Sequence, residues 1–277
     1  MSQNTQSDTS YPLAYSDEEI RRLERQAQFV SSLTRRLFET AGIAPGMRVL
    51  DVGSGAGDVA LLLAEYVGQE GSVVGVELNP DMAQLARQRV EHAGLTNVSF
   101  IAGDINTVAL DGEFDAVVGR LILIYLRDKV AVLRRLVEHL RPGGIVAFQD
   151  LEFAGIGASS PPAPLAGKAV GWLREVFRRS GLEVHMGLQL YRLFVDAGLP
   201  GPGMELISTA GGGPAWEGYY HLAAVLKSVF QPLIKLGITT EEEVGIETLE
   251  ERLREESVRL GGAMTGTALM NAWTRKE

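Results

Sequence analysis

Apolar positions along this chain follow two rhythms. From Asp17 to Phe38 they recur at helical spacing, with Ile20, Leu23, Ala27, Val30, Thr34 and Leu37 on one stripe, which predicts an amphipathic helix. Ser16 is placed to cap it, and Glu19 is the acidic partner three residues on. Beyond Pro45-Gly46, short runs of Val, Leu and Ile alternate with longer helix-like runs. Strands are expected at 48–52, 72–77, 98–102, 114–119 and 144–150, and helices between them at 58–67, 80–93 and 127–140. Such alternation predicts βαβ units in a mostly parallel sheet. Continuous apolar runs suit strands buried on both faces.

The alternation stops after Asp150. Residues 154–164 are rich in Gly, Ser and Pro and read as a loop or hinge. Helices are expected at 165–179, 188–196, 216–236 and 240–260, and two further strands at 204–209 and 267–274. The expected organisation is one domain in three parts. Residues 1–42 are a tail and helix covering the site, 43–150 a cofactor-binding core, and 151–277 lid helices plus two strands that complete the sheet.

Composition narrows the function. The 277 residues carry 45% hydrophobic side chains, enough for one large α/β domain. No apolar run approaches the roughly 20 residues that span a bilayer. Met1 to Ser10 is polar and lacks the pattern of a signal peptide. The absence of cysteine removes disulfides, thiolate metal sites and cysteine nucleophiles, and fits a cytoplasmic protein. A net charge of −9 disfavours nucleic acid and anionic membrane as partners. The expected partner is a small neutral or cationic molecule, bound by a monomer or homodimer. The four histidines show no metal-ligand spacing, so no metal is expected.

Ligands of open α/β sheets bind beyond the carboxyl ends of the strands. After the first strand come Asp51, Gly53, Ser54, Gly55, Ala56 and Gly57; after the second, Glu77 and Leu78; after the third, Asp104 and Ile105; after the fourth, Arg120. Glu77 is placed to accept hydrogen bonds from two ribose hydroxyls. Leu78 would lie against an adenine face, with Asp104 accepting from its amino group and the Ile105 amide donating to a ring nitrogen. Gly55 to Ala60 formally fits a dinucleotide fingerprint, with Glu77 about 20 residues on. However, Asp58 at the helix start would repel a pyrophosphate, and Asp51 adds a second negative group. A cationic, phosphate-free nucleoside such as S-adenosylmethionine suits this turn better.

Val49-Leu50-Asp51-Val52-Gly53-Ser54-Gly55-Ala56-Gly57 resembles the first motif of the class I S-adenosylmethionine-dependent methyltransferases. Gly75 to Asn79 resembles their acidic ribose loop, Gly103-Asp104-Ile105 their adenine-contacting motif, Phe114 to Val118 their fourth-strand motif, and Leu140 to Gly144 the turn before the fifth strand. The resemblance covers roughly Ile43 to Asp150. It implies a Rossmann-like sheet of seven mostly parallel strands, the last antiparallel, with 204–209 and 267–274 as strands six and seven. It also implies S-adenosylmethionine as cofactor. In the simplest members those two strands form a hairpin. Here Ala210 to Gly266 separates them, like the helical insertions of small-molecule and natural-product tailoring methyltransferases. The segment Tyr11 to Ser16, with Arg25-Gln26, resembles a cofactor-covering segment of that subgroup, which assigns Tyr15 and Gln26 to the cofactor.

The acceptor is read less directly. Trp216, Tyr219 and Tyr220 either contact an aromatic or apolar substrate or form the lid's core. His185, in a segment able to roof the pocket, is the candidate catalytic base, against the competing reading of a surface histidine; His221 is a second candidate. The expected reaction is methyl transfer to O, N or C of a small molecule. The alternatives are an NAD-dependent oxidoreductase, or a fold relative that binds the cofactor without transferring methyl, as a cyclase or binding module.

Overall fold

A computed structural model of the chain describes residues 17–277, and the side chains of Arg25 and of residues 27–277. Ser16 and its proposed cap therefore lie outside the described residues, as does the side chain of Glu19. The first helix, α1, runs Asp17–Ala41. It is followed by β1 (Arg48–Val52), α2 (Asp58–Val67), β2 (Ser72–Glu77), α3 (Pro80–His92), β3 (Val98–Ala102), β4 (Phe114–Arg120), α4 (Lys129–Glu138) and β5 (Leu140–Leu151). After a two-residue β6 (Ser159–Ser160) come α5 (Pro164–Arg179), α6 (Met186–Asp196) and β7 (Gly203–Gly212). The chain closes with α7 (Gly218–Ser228), α8 (Phe230–Lys235), α9 (Glu241–Val244), α10 (Leu249–Leu260) and β8 (Ala263–Arg275).

The strands form one sheet in the order β3-β2-β1-β4-β5-β8, with β7 and the two-residue β6 each paired antiparallel to β8. Pairings from β3 to β5 are parallel, and β8 runs antiparallel to both β5 and β7. This is the expected Rossmann-like sheet with one small extra strand. Alternate side chains of each central strand reach opposite faces. Val49, Val118 and Ala147 pack under α1, α2 and α3, through Phe38, Leu63 and Ala86. Leu50, Val117 and Phe148 pack against α4 and α6, through Leu133, Leu190 and Phe194. Burial on both faces is why these strands read as continuous apolar runs.

Helix α1 is tied to the sheet by polar contacts as well. Thr34 Oγ1 donates to Gln149 Oε1 at 3.0 Å, and Gln149 Nε2 donates to the Leu33 carbonyl and to Asn271 Oδ1. All three polar side chains are buried. Such a network fixes the helix position because a slip would leave buried polar groups unpaired.

The lid is a separate apolar layer built from α5, α7, α8, α9 and α10, around Trp172, Leu173, Leu226 and Leu253. Two expected helices are each broken in two. Residues 216–236 divide at Val229, where φ −110° and ψ 15° depart from helical values. Residues 240–260 divide at Gly245, whose left-handed conformation ends α9 before a short 3₁₀ turn leads into α10. Apolar periodicity continues across both breaks, which is why it reads as single helices. Helix α4 is shorter than its pattern, starting after Asp128, whose side chain accepts from the Ala131 amide at 2.9 Å.

Candidate active site

Strand β1 ends in the glycine turn, and hydrogen bonds fasten that turn to β2. The amides of Gly53 and Ser54 donate to the Val76 carbonyl at 2.9 and 3.0 Å, and Ser54 Oγ donates to the Asp51 carbonyl at 3.1 Å. Glu77 completes the turn. Its Oε2 accepts from the Gly55 amide at 2.8 Å and its Oε1 from the Asn79 amide at 2.9 Å. Each oxygen keeps lone pairs for a ligand, so Glu77 both shapes the loop and offers acceptors from it. Leu78 stands beside it with 69% of its surface exposed. An isolated aliphatic side chain at the carboxyl edge of the sheet suits the face of a flat base.

Gly53 has φ +70°, and a Cβ there would meet Ile122 Cδ1 at 2.5 Å and Cγ1 at 2.6 Å. The turn thus needs both the left-handed conformation and the missing side chain. Gly53→Ala is expected to cost roughly 1–3 kcal/mol through strain and overlap. A lower urea midpoint and weaker cofactor binding would show it; an unchanged midpoint would mean that the turn tolerates a Cβ.

Asp51 is 1% exposed, and neither carboxylate oxygen has a hydrogen-bond partner among the described residues. Burial pushes its carboxyl up to about 7, against the opposing pull of Arg120. Arg120 also donates to Thr34 Oγ1 at 3.1 Å, linking the turn to the buried network under α1. Asp58 differs from its expected role as a repelling charge. Arg89 Nη1 pairs with it at 2.8 Å and also donates to the Ala56 carbonyl. The negative character of the turn therefore rests on Asp51 and Glu77. An orphaned buried carboxylate fits a ligand that brings positive charge and hydrogen-bond donors, as the ammonium and sulfonium of S-adenosylmethionine do.

At the third strand, Asp104 is exposed and its Oδ1 accepts from the Asn106 amide at 2.9 Å and from Asn106 Nδ2 at 2.7 Å. The Ile105 side chain is buried in the sheet's core. After β4 the chain turns at Leu121, the one non-glycine with positive φ (55°) among the described residues. That turn brings Leu121, Ile124 and Tyr125 to a cavity of about 490 Å³. Strained backbone of this kind gathers at functional sites, and no sequence signal marks it.

The cavity begins at Gly53, Asp58 and Arg120 and runs beneath the lid. Its walls are Ala27 and Val30 of α1, Val170, Leu173, Val176 and Phe177 of α5, and Gly218, His221, Leu222 and Val225 of α7. Residues 264–267 of β8 form another wall. The cavity thus joins the glycine turn to the insertions between β5 and β7 and between β7 and β8.

The expected substrate contacts lie elsewhere. Trp216 is lodged against Gly211, Gly218 and Gly266, where a Cβ on any of the three would meet its ring. Tyr219 packs edge-on against it, with ring centroids 5.0 Å apart, and is 1% exposed. Tyr220 lies under the Arg25 guanidinium, 3.4 Å from its ring centroid, and Arg25 also pairs with Glu217 at 2.5 Å. These aromatics anchor α7 to the sheet and to α1, because large rings fill a lid core better than they line its void. None of the three lines the cavity. His185 is also absent from the cavity wall. Its Nδ1 bonds Glu152 Oε1 at 2.6 Å, and Glu152 in turn accepts from the Ala154 and Leu188 amides, so Glu152 caps the start of α6 and holds His185 beside it. Tyr15 lies outside the described residues, and Gln26 is described only as a helical position of α1.

The sequence matches a family described as a methyltransferase domain over residues 43–175. Just under half of this chain thus resembles a methyltransferase domain. An aklanonic acid methyltransferase from Streptomyces is 36% identical over 137 residues, 49% of this chain and 62% of that one. A ubiquinone/menaquinone biosynthesis C-methyltransferase from Xanthomonas oryzae is 39% identical over 127 residues, 45% of this chain and 49% of the relative. The chain thus spans about half to three fifths of these curated relatives. A methyltransferase structure from Aquifex aeolicus superposes with a TM-score of 0.53 at 22% identity, covering 71% of this chain and 94% of the other, and so shares the fold. The glycine turn, Glu77 and Arg120 fall within the matched residues.

Proposed function

We propose that this protein transfers the methyl group of S-adenosylmethionine to a small apolar molecule held in the lid cavity. The supporting observation is the continuity of that cavity with the glycine turn: one space touches both the cofactor loop and the lid. In this reading Glu77 accepts the ribose hydroxyls, Leu78 lies on the adenine and Asp104 with the Ile105 amide recognises its edge. Asp51 and Arg120 face the amino-acid end. When bound, the cofactor supplies an electrophilic methyl on a cationic sulfur. The chain's own part is to bind, orient and exclude water, the source of much of the rate enhancement when two reactants are held together. The apolar walls from α5 and α7 favour a planar or hydrophobic guest.

Relatives named for aklanonic acid and for ubiquinone/menaquinone biosynthesis are consistent with such a guest. With a net charge of −9, nucleic acid is not the expected partner. No helix among the described residues is long and apolar enough to cross a membrane, and the lack of cysteine favours the cytoplasm. Isothermal titration is expected to show S-adenosylmethionine binding and no NADH binding. No heat at millimolar S-adenosylmethionine would sink the proposal, and NADH binding would revive the oxidoreductase reading.

A further inference from the structure

Four of the residues lining the cavity are ionisable: Asp58, Arg120, Tyr125 and His221. Asp58 is held by Arg89 at 2.8 Å. Arg120 is a guanidinium and donates only, and a phenol such as that of Tyr125 is a proton donor at neutral pH. Imidazole is the side chain that takes and returns a proton in that range. His221 is 7% exposed, and its ring stacks on Phe29 with centroids 4.7 Å apart and planes 26° from parallel. Phe29 belongs to α1, so the contact holds the imidazole between the helix over the glycine turn and the lid helix α7. A ring fixed this way loses little freedom when it engages a ligand.

We propose that His221 is the proton acceptor for the group being methylated, and that the preferred acceptor is a hydroxyl on a planar apolar molecule. The inference rests on the methyltransferase reading above and names the substrate chemistry of that site. A neutral hydroxyl is a weak nucleophile and needs a base, and Asp58, the carboxylate on the same wall, is paired with Arg89. In the step assigned to His221, the O–H bond breaks and an N–H bond forms on the imidazole. The bonding pair stays on oxygen, and the imidazolium releases its proton to solvent when the product leaves. An amine arriving unprotonated would not need this group.

The test uses the purified full chain saturated with S-adenosylhomocysteine, and two probes, 4-nitrophenol and its methyl ether 4-nitroanisole. The nitrophenolate anion absorbs in the visible and the neutral phenol does not. Apolar surroundings favour the neutral form and the Arg120 guanidinium favours the anion, in wild type and variants alike, so a difference in ionisation between them reports the proton acceptor at His221. Near neutral pH, nitrophenol bound to the wild type is expected to be more ionised than free nitrophenol. In His221→Phe, which keeps a ring against Phe29, and in His221→Gln, which keeps a polar group, it is expected to be neutral. Nitroanisole binding shows that the cavity of each variant still takes the ring, with S-adenosylhomocysteine binding as the check on folding. The proposal is overturned if the bound phenol is equally anionic in both variants, if it is neutral in the wild type, or if neither probe binds while S-adenosylhomocysteine does. Failure of S-adenosylhomocysteine to bind the wild type would instead overturn the methyltransferase reading beneath it.

Discussion

Replacing Glu77 with alanine is expected to weaken S-adenosylmethionine binding by roughly ten- to a hundredfold, the range for losing one charge-assisted hydrogen bond. Two losses combine. The ligand loses its carboxylate acceptor, and the Gly55 and Asn79 amides lose theirs at 2.8 and 2.9 Å. The second loss loosens the turn before any ligand arrives. Glu77→Gln separates the two, because its amide oxygen satisfies only one amide donor and carries no charge. It should fall between wild type and alanine in affinity, and alanine should also lower the urea midpoint. Calorimetry and denaturation on the same preparations measure both. Unchanged affinity in Glu77→Ala would remove this residue from the site.

A second large effect concerns pH. The buried Asp51 carboxyl titrates at about 7 in the fold, against 3.8 ordinarily. The folded state therefore holds this proton more tightly than the unfolded chain. Stability from the neutral carboxyl is fully present below about pH 4 and is lost as pH rises through about 7, by roughly 4 kcal/mol at most. Asp150, at the end of β5, shifts the same way to about 7. Burial drives that shift too, opposed by the Leu151 and Ile124 amides that donate to its carboxylate. Asp51→Asn is expected to remove the Asp51 share of the loss. Its urea midpoint should exceed that of the wild type by a gap that widens from about pH 4 to pH 7 and then stays constant. Cofactor binding should run the opposite way. A cationic ligand compensates the ionised carboxylate, so wild-type affinity should climb across this window and the variant's should not. Parallel pH profiles for the two proteins would show that Asp51 does not titrate there.

Much of the proposed cofactor site was legible in the sequence. Asp51 to Gly57, Glu77, Leu78 and Asp104 lie within a few residues of strand ends, and strand ends of a parallel sheet converge by topology alone. Spacing along the chain therefore carries spatial information. The substrate half has no such rule. On α5, Val170, Leu173, Val176 and Phe177 repeat at helical spacing, and a buried core and a cavity wall produce the same stripe. Trp216 and Tyr219 have the composition of a binding surface, yet the gap left by Gly211, Gly218 and Gly266 takes them into the lid core. His185 and His221 are equivalent as letters. Glu152 holds the first at the start of α6, while Phe29, nearly two hundred positions before the second in the chain, stacks on the other at the cavity wall.

Local periodicity and strand-end motifs by themselves determined the elements, the mostly parallel sheet class and the glycine turn, because strand and helix patterns are written in near neighbours and alternating strands and helices dictate parallel pairing. The charge state of Asp51 and the neutralisation of Asp58 by Arg89 were decided by tertiary structure. So were the strained turn at Leu121, the breaks at Val229 and Gly245 and the choice of cavity-lining residues on α5 and α7. These depend on burial and on contacts between distant segments, and desolvation and packing have no counterpart in the order of residues along a chain.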